Sequence, residues 1–291
     1  MTTIPSSVLE AFGVRVPPQP LSGGRNLCFR ADDLVLKPAD DDEEAQWVAE
    51  LVVALAPDSS GSSYRLPHPI RDIHRPSSFV HEGWTAWSYV SGQAGLSVRF
   101  HDILDVSRAF HQDVALLELA RPGFLDRVVD RFHEADRVTW GEKSLDGVTK
   151  VNEEVLGTIG PALQDLRVLK RPLPQDVPFQ LIHGDLTGNV LFDDNPNTPP
   201  GIIDLTFYWR PALYADAIVV ADGLIWHSRG RDLVEAFGTD DVRLQLLIRA
   251  VYWRCLCFCI DPDMSFVQAF LPRTDFRGAA GMIRAIMEAK D

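Results

Sequence analysis

The chain has 291 residues, 46% of them hydrophobic and 24% charged, enough to bury one large core or two modest lobes. Its net charge of −13 speaks against nucleic acid as a partner, because binding a phosphate backbone requires a basic surface. The acidity would suit a cationic small molecule, and it is equally a route to solubility. No apolar run is long enough to span a bilayer, and the first residues lack the basic region and apolar core of a signal peptide. Of the four cysteines, Cys255, Cys257 and Cys259 are crowded together rather than spread as a disulfide framework. The expected setting is therefore the cytoplasm, away from membranes.

In chain order, residues 1–20 are rich in proline and carry one short helical pattern at 7–12. Ser22, Gly23, Gly24, Arg25 and Asn26 then form a glycine turn between two apolar runs. The second run, 27–30, turns at 31–33 into 34–37 and ends on Lys37. Strand, glycine loop, strand, tight turn and strand is an arrangement in which adjacent glycines let backbone amides approach phosphate. Neither a G-x-x-x-x-G-K-[ST] loop nor a G-x-G-x-x-G fingerprint occurs.

An acidic cluster at 40–44 opens an amphipathic helix that runs to Leu55 before Pro57, and first-turn acids favour a helix start. Glu44 shares the apolar face with Val48, Leu51 and Leu55, so its carboxylate needs a partner, with Lys37 the candidate. Glu43 and Glu50 are the alternatives. His68, His74 and His81 follow without metal-ligand spacing. The runs at 78–80 and 85–90 read as a hairpin that brings Ser88, Tyr89 and Val90 to a break at Ser91-Gly92.

Beyond Gly92 the pattern turns helical. Ile103, Val106, Phe110, Val114 and Leu117 make one stripe. A shorter amphipathic segment covers 124–132, and Val151, Val155, Ile159, Leu163 and Leu166 make a third. Into this helical half is inserted a strand cluster at 180–207. Its apolar runs end on His183-Gly184-Asp185, begin after Asn189 and close on Asp204, with turn-forming residues at 193–200. Each of Asp185, Asn189 and Asp204 alone reads as an ordinary turn or cap residue. Together they offer a proton acceptor and two hard oxygen ligands at strand ends. Further helices are expected at 216–228, 231–236, 241–259 and 278–289. The cysteines of 241–259 point to different faces and suit packing, and His227 reads as structural.

The 180–207 segment resembles the catalytic loop and metal-binding aspartate of the aminoglycoside phosphotransferase and kinase-like (choline-kinase-like) superfamily, and the Ser22 to Asn26 turn resembles its glycine loop. The resemblance implies an α+β, two-lobed, protein-kinase-like fold. Residues 1–91 would form an N-terminal nucleotide-binding lobe, an antiparallel sheet with one main helix. Residues 92–291 would form a larger, mainly helical catalytic and substrate-binding lobe. It implies a Mg-ATP-dependent transfer of the γ-phosphate to a small-molecule hydroxyl. Asp185 would receive the hydroxyl proton, and Asn189 and Asp204 would hold Mg2+. Lys37, paired with Glu44, would hold the α- and β-phosphates beneath the glycine loop. Backbone groups of Ser88, Tyr89 and Val90 would bond adenine, and Asp216 would anchor the catalytic loop from below. The Asp185-to-Asn189 interval is one residue shorter than in most members. That supports a competing expectation, a catalytically weak or inactive nucleotide-binding protein of the same fold. A hydrolase using Asp185 and His183 lacks both a Gly-x-Ser-x-Gly elbow and a zinc signature.

Overall fold

Short apolar runs at 34–36 and 84–87, set off by turns at 31–33 and 82–83, produce strands. In the computed structural model, which describes residues 3–21, 27–55, 62–95, 99–148 and 150–290, these strands form the centre of an antiparallel sheet. The chain divides into two compact units, residues 1–94 with 189–205, and residues 95–188 with 206–291.

In the first unit, α1 (Ser6–Ala11) precedes β1 (Gln19–Pro20), β2 (Phe29–Ala31) and β3 (Leu34–Pro38). Then come α2 (Asp42–Leu55), β4 (Val80–His81), β5 (Trp84–Ser88) and β6 (Gln93–Ala94). The five-stranded sheet has the order β1-β2-β3-β5-β4. Leu36, Trp84 and Ala86 pack with Val8 and Phe12 from α1 and its end, so the short N-terminal helix closes a core under the sheet. Asp41 accepts the amide hydrogen bond of Glu44 at 2.9 Å and starts α2, which buries Ala49, Leu51, Val52 and Leu55.

A second sheet completes this unit: β8 (Val190–Phe192) pairs with β6 on one side and with β9 (Gly201–Ile202) on the other. Arg65 ties this hairpin to the segment after β5. It donates to Pro199 O at 2.7 Å and to Ser91 O at 3.0 Å, and its backbone bridges Pro200 and Ile202. Ser91 Oγ donates to Asp193 at 2.5 Å. The approach is close enough that a Cβ on Gly201 would lie 2.2 Å from Val90 Cγ1. Gly92, at φ +127°, lies against the Phe192 backbone in a conformation open only to glycine.

The second unit holds α3 (Phe100–Leu116), α4 (Arg131–Thr139), α5 (Glu153–Leu169), β7 (Gln180–His183) and β10 (Phe207–Arg210). It finishes with α6 (Ala212–Trp226), α7 (Arg231–Phe237), α8 (Asp241–Cys259), α9 (Met264–Phe270) and α10 (Phe276–Glu288). α6 is buried continuously from Tyr214 to Ile225, and α8 is buried along most of its length. These two pack on each other, surrounded by α3, α4, α5 and α10, and their all-round apolarity is that of central helices.

The architecture is the expected α+β one, an antiparallel sheet unit with one main helix and a helical unit. Local differences have identifiable causes. The segment 124–132 is not one helix: a 3-10 turn covers Gly123–Asp126, and α4 starts only after Asp130, whose carboxylate caps the amides of Phe132 and His133. Asn152 likewise caps α5 later than its periodicity suggests. The aromatic run after Asp204 is strand β10, paired antiparallel with β7, so the three strands of 180–207 are shared between two sheets.

Gly201→Ala should lower stability by about 1–3 kcal/mol, the usual penalty of overpacking, as measured by denaturant unfolding. Adding Val90→Ala should recover part of that loss, since it removes the atom that the new methyl meets.

Candidate active site

In the first unit β3 lies between β2 and β5, and its register sets Lys37 opposite Thr85. The Lys37 ammonium makes an ion pair with the Asp204 carboxylate, joining residues 167 apart in the sequence. Asp204 ends the β8–β9 hairpin at φ +53°, a left-handed conformation that aspartate tolerates better than most side chains. One residue earlier, Ile203 donates its amide to Asn189 O at 2.9 Å, so Asn189 and Asp204 sit together at the open end of one hairpin. Glu44 lies half-buried in the first turn of α2, while Glu43 is exposed and Glu50 is engaged by Gln46 at 2.7 Å.

Ser88, Tyr89 and Val90 lead from β5 to the Arg65 tie. The Ser88 amide donates to His68 O at 2.8 Å and the Tyr89 amide to Asp33 O at 2.7 Å, and the Arg30 guanidinium lies 3.6 Å above the Tyr89 ring centre. Those two amides are already used, so a purine edge would have to displace these bonds or use other groups of the stretch. Ser22, Gly23, Gly24, Arg25 and Asn26 lie outside the described residues.

In the second unit, β7 delivers His183 to a fully buried position. Its Nδ1 accepts the amides of Thr206 at 3.2 Å and Asp185 at 3.4 Å, and Gly184 donates to Thr206 O at 2.9 Å. The imidazole is thus a template for the turn that presents Asp185. Behind it, His111 Nε2 accepts the His183 amide at 3.0 Å, while His111 Nδ1 lies 2.7 Å from Ser107 O, to which it donates. Burial pushes the His111 pKa down to about 3, against the opposing pull of the Ser107 carbonyl. The ring is therefore neutral, as its acceptor role requires. Asp216 accepts from Ser107 Oγ at 2.5 Å and from Arg108 Nε at 3.1 Å. Those bonds hold α3, through which His111 reaches the strand.

The Asp185 carboxylate is 44% exposed, with Arg254 Nη2 3.4 Å away. Arg254 comes from α8 and forms a two-point pair with buried Asp222 of α6, both contacts at 2.7 Å. Burial works against the guanidinium charge, and the Asp222 carboxylate outweighs it, holding Arg254 above its ordinary pKa. Sequence reasoning passed over both residues. The signal was there: one arginine among Val251, Cys255, Leu256 and Phe258, and one aspartate among Ala221, Leu224 and Ile225, each require a buried partner.

No family model matches the sequence, and no curated protein matches it. Solved structures do match over nearly the whole chain. Spectinomycin phosphotransferase APH(9)-Ia, in complex with ADP and spectinomycin, has a TM-score of 0.59 at 14% identity, covering 97% of each chain. The chain has the fold of the aminoglycoside phosphotransferases. A thermostable mutant of aminoglycoside phosphotransferase APH(4)-Ia, in a ternary complex with AMP-PNP and hygromycin B, has a TM-score of 0.57 at 14% identity, covering 99% of both chains. An aminoglycoside phosphotransferase from Alicyclobacillus acidocaldarius gives 0.55 at 14% identity, over 99% of this chain and 97% of that one.

The neutral His111 makes stability pH-dependent. Its pKa is 6.5 when unfolded and about 3 when folded, so below pH 6.5 the unfolded chain takes up a proton that the native chain refuses. Stability contributed by this group is complete above that pH and is lost on acidification, by about 2 kcal/mol at pH 5. Denaturant unfolding of wild type and His111→Gln at pH 7 and pH 5 should show an acid-induced loss smaller by about that amount in the variant.

Proposed function

We propose that this chain is a Mg-ATP-dependent phosphotransferase that moves the γ-phosphate to the hydroxyl of a small molecule. The observation that carries the reading is the Lys37–Asp204 pair, a lysine from the sheet held against a carboxylate at a hairpin end beside Asn189. Apart from the lysine, the donor set fits magnesium. Asn189 and Asp204 offer hard oxygen atoms, and Mg2+ uses one or two carboxylates with the rest of its shell from phosphate and water. The Lys37 ammonium at Asp204 is itself a cation in the place a metal would take. When bound, Mg2+ would neutralise charge on the β- and γ-phosphates.

The nucleotide would bind the lobe of residues 1–91, the acceptor the lobe of 92–291, and the metal the hairpin between Asn189 and Asp204. Lys37 would exchange Asp204 for the α- and β-phosphates, with Glu44 holding the lysine in place from α2. The amides of Ser22, Gly23, Gly24, Arg25 and Asn26 would cover the phosphates, and the strand end at Ser88, Tyr89 and Val90 would face adenine. Asp185, exposed and fixed through the His183 imidazole, would orient the acceptor hydroxyl and take its proton. Phosphoryl transfer asks little more of a protein than positioning and charge compensation. The cytoplasm, where ATP is available, is the proposed setting.

Calorimetric titration with Mg-ATP should show one site, weakened in Lys37→Ala. Asp185→Asn keeps the shape of the side chain and removes its basicity. It should leave Mg-ATP affinity nearly unchanged and lower turnover by roughly 10²- to 10⁴-fold. Asp204→Asn should impair both. The opposite pattern, with Mg-ATP binding lost in Asp185→Asn and intact in Asp204→Asn, would show that the two roles are misassigned.

A further inference from the structure

Resting on the phosphotransferase reading above, we propose that Arg254 is a positioning residue for Asp185. It aims the carboxylate at the acceptor hydroxyl through a guanidinium that Asp222 holds fixed. The need for it is local. Asp185 follows the end of β7, its amide donates to His183 Nδ1 at 3.4 Å, and its side chain is 44% exposed. The imidazole contact fixes the main chain and leaves the side chain to turn. The last torsion of an aspartate is broad, so an exposed carboxylate keeps no set direction unless something grips it. A base that must meet a proton at one point loses rate when it is misdirected.

Arg254 supplies the grip. Its Nη2 lies 3.4 Å from Asp185 Oδ1. The guanidinium is itself immobilised, because Nε and Nη2 each reach a different oxygen of Asp222 at 2.7 Å, a two-point pair that sets its plane. It also lies 4.3 Å from the Trp253 ring centre. The direction of the Asp185 side chain is thereby tied to α6 through Asp222 and to α8 through Arg254. The contact is longer than a full-strength charge-assisted bond and engages one carboxylate oxygen. It steers Asp185 without consuming it as a proton acceptor.

The charged and titratable groups around Asp185 come from several elements. α8 brings Arg254 and Cys257, α6 brings Asp222, β7 brings His183 and β10 brings Tyr208, with Asp130, Arg131 and Asp136 of the α4 region behind them. Burial pushes the Cys257 thiol up to about 12, and burial with the Asp136 and Asp130 carboxylates pushes the Tyr208 phenol up as well. Both are neutral wherever a carboxylate titrates, so neither masks the effect of the cation in contact.

The test uses two variants of the full chain. Arg254→Met alone would strand Asp222 as a buried unpaired charge, so it is combined with Asp222→Leu, which leaves an apolar contact between α6 and α8. Arg254→Lys keeps the charge and removes the planar fork. Circular-dichroism melts verify folding. Carboxyl carbon-13 NMR, with Asp185 assigned through Asp185→Asn, reads the acid midpoint of this side chain. ADP release under Mg-ATP is measured with water, glycerol, spectinomycin and hygromycin B as acceptors. The double variant should raise the Asp185 midpoint by about half a pH unit, a screened effect, because the cation favouring its charged form is gone. Its kcat should fall about tenfold while the KM for Mg-ATP stays within about twofold. Arg254→Lys should keep the wild-type midpoint and still show the fall in kcat. Wild-type kcat in either folded variant, or a KM for Mg-ATP that rises as kcat falls, would overturn the proposal. A raised midpoint in a protein that neither binds Mg-ATP nor releases ADP would overturn the phosphotransferase reading and uphold the grip of Arg254 on Asp185.

Discussion

The constraint on which the helical unit depends is the buried pair between Arg254 and Asp222. It links α6 and α8, the two helices around which the others pack, at a depth where an unpaired charge would cost several kcal/mol. An apolar pair of similar volume would hold such helices together at least as well. Stability therefore does not account for the charges. What the guanidinium adds is a third contact, with Asp185, so that the exposed carboxylate after β7 is tied to the two central helices of the unit. His183 fixes the backbone of the same turn through the Asp185 amide and joins it to the chain before β10 through the Thr206 amide, and His111 accepts the His183 amide. The turn is held by the buried His183 imidazole and by a guanidinium beside it.

The sheet unit solves a comparable problem by different means. There the candidate ligands stand at the end of a two-stranded hairpin, which alone would be marginal. It gains rigidity from β6, from the Arg65 fork and from the glycine contacts at Gly92 and Gly201. The strained backbone of Asp204 persists because these contacts leave the hairpin few alternatives.

Much of this was legible in the amino acids. The strands at 34–38 and 180–183, the start of α2, and the positions of Lys37, Asp185, Asn189 and Asp204 at strand ends follow from apolar periodicity and turn chemistry. Less legible was whatever depends on a partner far away in sequence. The Phe207–Arg210 run has an awkward local pattern because β7 supplies its pairing, and Asp130 moved a helix start by competing for its amides. That Lys37 meets Asp204 cannot be read from spacing, since that contact is set by how β3 and the hairpin pack. Arg254 and Asp222 were visible as lone charges in apolar helices, but only the packing of α6 on α8 shows that they answer each other.

The hairpin has a further consequence for how the molecule is made. The first unit is assembled from residues 1–94 and 189–205, with the greater part of a helical unit encoded between them. On the ribosome, β6 emerges long before the strand it pairs with, and the Arg65 fork has nothing to grip until Pro199 has been synthesised. The sheet unit cannot therefore finish folding in the order in which it is translated. Its last strands arrive only after α3, α4 and α5 have left the exit tunnel, and closing that long loop is an entropic cost borne late. The two units are compact in space but interleaved in time, and β6 must wait unpaired until β8 has been made.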